Sequence, residues 1–349
     1  MRKMATIRLI DDIRPIPDAD AIECAVIGGW TVVVKKGEYR AGDVAVYCEI
    51  DGWIPTEIAA FLSKGQEPRE FDGIKGERLR TVKLRGQLSQ GLLLPFTADM
   101  AIRIGAPPGA RFTDYVGLDV SDFLGIKKYE PPIPAQLAGE VKGSFPGFIP
   151  KTDQERIQNL KAELDAWKAE GDLWEVTEKL DGSSMTVYIR DGEIGVCSRN
   201  LELKRNKDNS LWKAVDKQGL EEILVSHSTF DSDFAVALQG ELIGEGIQGN
   251  PYKIKGQMFV LFDIYLINDG RYMTPAERHA FATMNDINHV PIMDRGGLLL
   301  DGMDGILRGA EGKSDLCLTT EREGLVFKRH DGKASFKAIS NRFLMKTGG

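Results

Sequence analysis

Apolar residues recur at every second position in several short stretches near the start of the chain. In AIECAVI (21–27), WTVVVKK (30–36) and VAVYCEI (44–50), the sets Ile22/Cys24/Val26, Trp30/Val32/Val34 and Val44/Val46/Cys48/Ile50 each fall on one side of an extended strand. LRTVKLRG (79–86) and GLLLP (91–95) are further strand candidates, and Gly28-Gly29 and GEYRAGD supply turns. Short strands at this spacing predict a small closed or half-closed barrel, because an open sheet of that size leaves its edges unprotected.

The pattern changes after YEPPIPAQLAGEVKGSFPGFIP (129–150), which holds five prolines and three glycines and is expected to be an irregular linker. In TDQERIQNLKAELDAWKAEG (152–171), Thr152 and Glu155 have capping-box spacing, and Ile157, Leu160, Leu164 and Trp167 follow at helical intervals, so one amphipathic helix is predicted. LWEVTEKL (173–180), SMTVYIR (184–190) and EIGVCSR (193–199) read as strands, the last two joined by the hairpin signal Asp191-Gly192. Further strands are expected at 234–244, 257–267, 324–330 and 333–339, and a helix over TPAERHAFATMNDI (274–287). The fold class is therefore α+β. A barrel occupies residues 1–128, a linker 129–150, and an antiparallel α+β domain 151–349.

Composition agrees with a soluble globular protein: 42% of the 349 residues are apolar and 28% are charged. The longest apolar runs, such as FVLFDIYLI (259–267), fall short of the roughly 20 residues that span a bilayer. The basic start has no apolar core behind it and does not read as a signal peptide. Cys24, Cys48, Cys197 and Cys317 lie far apart without a CxxC pair, which fits reduced thiols in the cytoplasm or another reducing compartment. No membrane or protein partner is implied. The formal charge of -7 conceals two basic zones. Lys328 to Lys346 holds six basic residues and one acid, and Lys64 to Arg85 holds seven basic residues and four acids.

For candidate chemistry, GEGIQG (244–249) matches a dinucleotide-binding GxGxxG, but Pro251 pushes Asn250 away from the helix that such a site requires. EKLDG (178–182) sets Lys179 and Asp181 at the mouth of a predicted hairpin. Alone, its quartet KLDG (179–182) reads equally as surface charge or as nucleophile. Singly, Glu241 and Glu323 read as strand-end acids, Phe262 as core, Asp263 as a turn cap and Lys337 as an outward lysine.

Taken in order, EKLDG, SRN (198–200), GELIGEGIQ (240–248), FVLFDI (259–264), EGLVFK (323–328) and SFKAIS (335–340) resemble the covalent nucleotidyltransferase superfamily of ATP-dependent ligases and messenger-RNA capping enzymes. The resemblance covers most of residues 145–343, and GELIGEGIQGN and FKAISNRF look most like RNA ligases. It implies adenylyl transfer, in which a lysine amine attacks the α-phosphate of ATP. Free lysine, with a pKa of about 10.4, lies roughly 4–5 kcal/mol from its neutral form at pH 7, so the amine needs nearby positive charge. By resemblance, Lys179 is the nucleophile, and Asp181, Glu241 and Glu323 hold Mg2+ or Mn2+ directly or through water. Arg199, Lys337 and Lys328 face the phosphates, Phe262 stacks on adenine, and Glu178 joins the nucleotide site. Many relatives carry a second lysine two positions after Lys337, where this chain has Ile339; Lys328 or Lys333 would then compensate.

The N-terminal barrel is OB-like, and IPDADAIECAVIGGWTVVVKKGEYRAGDVAVY resembles the opening strands of nucleic-acid-binding OB domains. An OB barrel binds nucleic acid through a basic groove and stacking aromatics, which nominates Trp30, Lys35, Lys36 and Arg40, with Tyr39. Only 12 residues follow Lys337, so the barrel precedes the catalytic segments. That order resembles RNA ligases with an N-terminal OB domain that seal 3′-OH/5′-phosphate nicks in RNA-containing duplexes. The expectation is an ATP-dependent RNA ligase acting on nicked RNA. A DNA ligase, a GTP-using guanylyltransferase, or a non-catalytic RNA-binding protein with a relic second domain are the alternatives.

Overall fold

The computed structural model describes residues 2–107, 109–130, 139–231 and 233–347. The chain forms two compact units, one of Met1–Pro132 with Arg342–Gly349, the other of Ile133–Asn341.

In the first unit, β1 (Ala5–Leu9), β2 (Asp12–Pro15), β3 (Ile22–Ile27), β4 (Trp30–Lys35), β5 (Val44–Cys48) and β6 (Gly52–Pro55) lead into the short helix α1 (Thr56–Ala59). Next come β7 (Arg69–Phe71), β8 (Ile74–Arg78), β9 (Val82–Leu84), β10 (Gln87–Ser89), β11 (Leu92–Pro95), α2 (Ala98–Arg103) and β12 (Lys127–Lys128). They pair as β1-β5-β11, β2-β3-β4, β12-β6-β8-β7 and the hairpin β9-β10. β4 keeps the expected alternation, with Trp30, Val32 and Val34 buried. β5 departs from it: Ala45, Val46, Tyr47 and Cys48 are all buried, because Val46 and Cys48 pack with Ile7 and Ile54 on one face while Tyr47 meets the Trp30 ring on the other. LRTVKLRG yields only the three residues of β9, which turn at Arg85-Gly86 into β10.

The second unit begins with β13 (Val141–Ser144), β14 (Glu155–Arg156), α3 (Lys161–Glu170), β15 (Leu173–Lys179), β16 (Ser183–Arg190), β17 (Glu193–Cys197) and β18 (Leu201–Leu203). It continues with α4 (Ser210–Lys217), α5 (Leu220–Phe230), β19 (Val236–Gly244), β20 (Gln257–Leu266), β21 (Arg271–Tyr272), α6 (Pro275–Met284) and β22 (Ile292–Leu298). Last are α7 (Met303–Gly309), β23 (Gly324–Arg329) and β24 (Ser335–Ile339), followed by α8 (Asn341–Thr347).

Two sheets build this unit. β13-β18-β17-β16-β19-β20-β21 is antiparallel, and β14-β24-β23-β15-β22 is antiparallel except for the parallel β14–β24 pair. Trp212 and Val215 of α4, Leu220 and Leu224 of α5 and Phe281 of α6 bury the larger sheet's Val187, Leu238, Leu242 and Phe259. Leu164 of α3 and Ile306 of α7 pack with Trp174, Phe327 and Phe336 of the smaller. The Asp191-Gly192 turn takes the expected left-handed pair, φ 53° and 75°. Thr274 and Glu277 form the capping box of α6.

Two expectations change. The helix after Thr152 starts only at Lys161, because Glu155 and Arg156 pair with Phe336 and Lys337 of β24 and a short 3-10 turn follows. Glu155 accepts from the N–H of Arg156 and from Asn159 rather than capping a helix with Thr152. In the segment 129–150, residues 131–138 lie outside the described residues. Val141–Ser144, free of proline, forms a strand against β18 instead of irregular chain. The four cysteines are free thiols, and among the described residues no helix is long and apolar enough to cross a membrane.

Candidate active site

β15 sorts its side chains by alternation. Glu175, Thr177 and Lys179 stand opposite Lys328, Val326 and Gly324 of β23, which in turn oppose Ser335, Lys337 and Ile339 of β24. Partners directly opposed across a ladder point to the same side, so Lys179, Lys328 and Lys337 share one face. Trp174, Leu325, Phe327, Phe336 and Ala338 take the other face and bury against α3 and α7. Gly324, opposite Lys179, is needed for the close approach of β23 to β24. A Cβ there would lie 2.2 Å from the Ala338 carbonyl oxygen and 2.9 Å from the Cα of Ile339.

Lys179 Nζ lies 2.7 Å from Glu323 Oε1. Burial pushes the pKa of this ammonium down, yet Glu323, Glu241 and Asp181 together hold it above the ordinary lysine value. The same proximity acts on the acids. Burial and Glu323, opposed by Lys179, push Asp181 up to about 6. Burial, Glu323 and Asp181 push Glu241 up to about 8 against the pull of Lys179 and Arg199. Glu241 comes from β19, opposite Ser184 and Val260, so the larger sheet faces its carboxylate to the lysine of the smaller. The Asp181 N–H donates to Tyr252 Oη at 2.5 Å, which fixes the turn after Lys179.

The carboxylates surround the amine without converging into a cage. Among the described residues no three acidic, histidine or cysteine side chains stand together as a metal-binding group. An all-oxygen set of separated carboxylates suits a divalent cation that keeps several of its waters, as Mg2+ does.

Phe262 sits in a β-bulge. Gln239 pairs with Asp263 and Gly240 with Leu261, which leaves Phe262 as the extra residue of β20. The bulge re-aims its half-buried ring toward Leu180, Tyr252 and Val290. Lys328 does not present a free ammonium there. It is buried, donates to the Phe262 carbonyl, pairs with Asp263 Oδ2 at 2.8 Å and lies 5.7 Å from the Phe262 ring centroid. Burial, with Arg278 adding to it and Asp263 opposing, brings this lysine down to about 8. Lys328 therefore anchors the bulge rather than facing open space, and Asp263 is a strand residue bound to Lys328 and, at 3.5 Å, to Arg278, not a turn cap.

The remaining candidates separate by element. Arg199, half-exposed after β17, holds Asp153 through Nη2 at 2.9 and 3.1 Å. Lys337 stands between Val326 and Arg156. Buried Ile339 occupies the position where a second lysine was expected, and Lys333 is exposed beyond the start of β24. Glu178 is buried on the face opposite Lys179. Its Oε2 accepts from the Asp315 N–H at 2.9 Å, and its Oε1 has no hydrogen bond among the described residues. Burial raises its pKa.

In the first unit, Trp30 is 0% exposed and packs 5.7 Å from Tyr47, and Tyr39 is also buried. Neither ring is free to stack on a base. Trp30 belongs to the apolar side of the alternating set of β4, which already placed it inside in sequence; Tyr39 lies in the turn after that strand. Lys35, Lys36 and Arg40 are exposed.

Sequence reasoning missed Tyr252, and it missed the buried set Glu175, Arg278 and His279. Glu175 accepts from Arg278 and contacts His279, with Glu175 and Arg278 essentially inaccessible. The signal was present for Arg278, which falls on the helical stripe of Pro275, Phe281 and Ala282.

Comparison with known proteins shows the family. A family model described as an OB-fold domain matches residues 4–96, and one described as RNA ligase matches residues 172–342. Among solved structures, a Naegleria gruberi RNA ligase mutant with ATP and Mn is 48% identical, with a TM-score of 0.86 and coverage of 98% of both chains. The same figures hold for a mutant of that ligase with AMP and Mn. The Naegleria gruberi enzyme with PPi is 48% identical at TM-score 0.86, over 99% of this chain and 98% of that one. No curated protein matches the chain. An N-terminal OB-fold domain ahead of a ligase domain, shared in sequence over nearly the full length of a known RNA ligase, makes this chain a member of the RNA ligase family, an enzyme that forms phosphodiester bonds.

Proposed function

We propose that this ligase uses ATP and a divalent cation to seal 3′-OH/5′-phosphate breaks at nicks in RNA-containing duplexes, with Lys179 carrying AMP as a covalent intermediate. One observation carries the reading: the Lys179 amine, 2.7 Å from Glu323, is held among Asp181, Glu241 and Glu323 on a sheet face shared with Lys337. The similar Naegleria gruberi structures hold ATP and, separately, AMP and PPi, the two parts into which adenylyl transfer divides ATP, which supports the same chemistry here.

In the first step Lys179 Nζ, as the free amine, attacks the α-phosphorus of ATP. A P–N bond forms, the nitrogen loses a proton, the α–β P–O bond breaks and pyrophosphate leaves. In the second, an oxygen of the RNA 5′-phosphate attacks the same phosphorus, the lysine nitrogen takes up a proton as the P–N bond breaks, and the 5′ end is capped by AMP. In the third, the 3′-OH attacks the 5′-phosphate, its proton is released, and AMP departs.

Asp181, Glu241 and Glu323 hold the cation, and Arg199 and Lys337 face the phosphates. Phe262 stacks on adenine from its bulge, Lys328 positions that bulge, and Glu178 Oε1 offers a buried acceptor to a base amine. A bound divalent cation supplies the positive charge that favours the neutral amine and offsets the developing charge on phosphate. In its absence the surrounding carboxylates keep Lys179 protonated. On the first unit, exposed Lys35, Lys36 and Arg40 meet the nucleic acid. The free thiols fit a reducing compartment.

The test is incubation with α-labelled ATP or GTP and Mn2+, followed by denaturing electrophoresis and then a panel of nicked duplexes. Label from ATP and sealing of nicks with an RNA 3′-OH strand are expected. Label from GTP alone, or equal sealing of all-DNA nicks, overturns the reading.

A linked prediction concerns pH. Glu241, at an ordinary 4.5 when unfolded and about 8 when folded, keeps a proton that the unfolded chain releases. The metal-free protein therefore loses stability as pH rises through that window, and the loss is complete above it. Because the cation binds the ionised carboxylates, Mn2+ should raise the thermal midpoint more at about pH 8 than at about pH 5.5. Scanning calorimetry showing an equal rise at both, or an undiminished rise in Glu241→Gln, contradicts this placement.

A further inference from the structure

The two basic zones of the sequence have different fates. In the C-terminal zone, Lys328 is buried against Asp263, and Arg329 is shared among Glu170, Asp172 and Asp331. In the zone from Lys64 to Arg85, Arg69 pairs with Glu77, Lys75 with Glu67 and Arg78 with Asp51. Of the cations that remain, three gather on one element. Arg80, Lys83 and Arg85 are exposed and form no ion pair among the described residues, and no acidic residue occurs between Glu77 and Asp99.

These cations decorate the β9–β10 hairpin. Its inner strand is tied to the barrel: Thr31 Oγ1 donates to the Leu88 carbonyl, Val33 N–H to Ser89 Oγ, and Gln90 N–H to the Thr31 carbonyl. The outer strand has no further partner in its sheet, and residues 82–86 are all exposed. Val82 pairs with Ser89 and Leu84 with Gln87, so both apolar side chains lie on one face, 42% and 44% exposed. Lys83 points the other way, and Arg85 leads the turn. An anchored two-stranded ribbon with an apolar ridge, unpaired cations and no acid is poorly suited to life in water alone.

We propose that the β9–β10 hairpin is a docking element for the phosphate backbone of the RNA-containing duplex. Arg80, Lys83 and Arg85 engage phosphates while Val82 and Leu84 lie against sugars in the groove. Charge complementarity selects the partner: three fixed cations without a local acid meet a polyanion. In an A-form duplex the wide, shallow minor groove accepts such a ribbon, whereas the deep, narrow major groove does not. The inference rests on the nick-sealing reading above, but its hairpin belongs to the first unit, while Lys179 belongs to the second. Binding and adenylylation are thus separable.

The test uses the full chain carrying Arg80→Gln, Lys83→Gln and Arg85→Asn. Asparagine is chosen at 85 because that residue has a φ of 49°, which alanine would resist. Affinity for a nicked RNA duplex is followed by fluorescence anisotropy across a salt series. The expected result is a salt dependence shallower by about two to three in log–log slope, with binding weakened at least about tenfold at low salt. Sealing should fall at subsaturating duplex and recover at saturation, while label transfer from ATP is unchanged. A variant with Arg80→Lys and Arg85→Lys should keep the slope. An unchanged slope and affinity in a triple variant with the wild-type thermal midpoint overturns the proposal, and would assign the ribbon to a partner other than nucleic acid. If the triple variant loses its thermal midpoint, Lys83→Gln alone is read instead, with a slope change of about one expected and no change overturning the proposal. Should the wild type bind duplex but take no label from ATP, the adenylylation reading fails while the hairpin assay still decides.

Discussion

Lys179→Ala should eliminate transfer of α-phosphate label from ATP to the protein, a loss of at least about 10^4-fold in the single-turnover rate, as expected for removal of a nucleophile. Lys179→Arg should fail as completely, because a guanidinium stays protonated at any accessible pH and cannot attack phosphorus. The two variants should nonetheless seal a nick whose 5′ end already carries AMP, since that step forms and breaks no bond to lysine. Gel analysis of both reactions separates the roles. Persistent label in Lys179→Ala would move the nucleophile elsewhere, and loss of the final step as well would make Lys179 a structural residue. Its place at the end of β15, paired opposite Gly324, leaves the backbone free to keep its ladder when the side chain is cut.

The largest effect on stability is expected from Glu175→Ala. Arg278 is 0% exposed and loses its buried carboxylate partner in that variant, with Lys328 close enough to add repulsion. Against the upward push of burial, Arg278, His279 and Lys328 hold Glu175 below its ordinary value, so it is ionised across the working range. Breaking a buried pair from one side costs about 3–5 kcal/mol, because the surviving guanidinium then keeps only its longer, 3.5 Å carboxylate contact with Asp263. Urea unfolding should show that loss. Removing both charges with Glu175→Leu and Arg278→Met should recover a large part of it. A double variant no better than the single would mean that packing, not charge, dominates at this site.

Most strands of the second unit were legible because each carries β-branched or aromatic residues between clear turns, and Asp191-Gly192 and Thr274-Pro275 marked their boundaries by local chemistry. Arg199, Glu241, Glu323 and Lys337 were found as an ordered set of motifs, not by periodicity. What stayed hidden depends on contacts distant in sequence. Tyr252 meets Asp181 across 71 positions. Glu175 meets Arg278 across 103, and neither residue type announces burial. The Phe262 bulge is invisible because one extra residue in a ten-residue strand leaves the apolar content of FVLFDI unchanged. Trp30 erred in the opposite direction: its place in the alternating set of β4 already assigned it to the interior, and the resemblance to base-stacking barrels outweighed that simpler rule.

The seven residues of β15 carry a packed core on one side and the Lys179 amine on the other. Inserting or deleting a single residue between Trp174 and Lys179 would put both on the same side, so that either the lysine enters the apolar layer or the tryptophan leaves it. Over evolutionary time this strand can therefore accept substitutions but not changes of length. Divergence by insertion has to fall outside it, in turns such as Asp191-Gly192, where an added residue leaves the register of Lys179 intact.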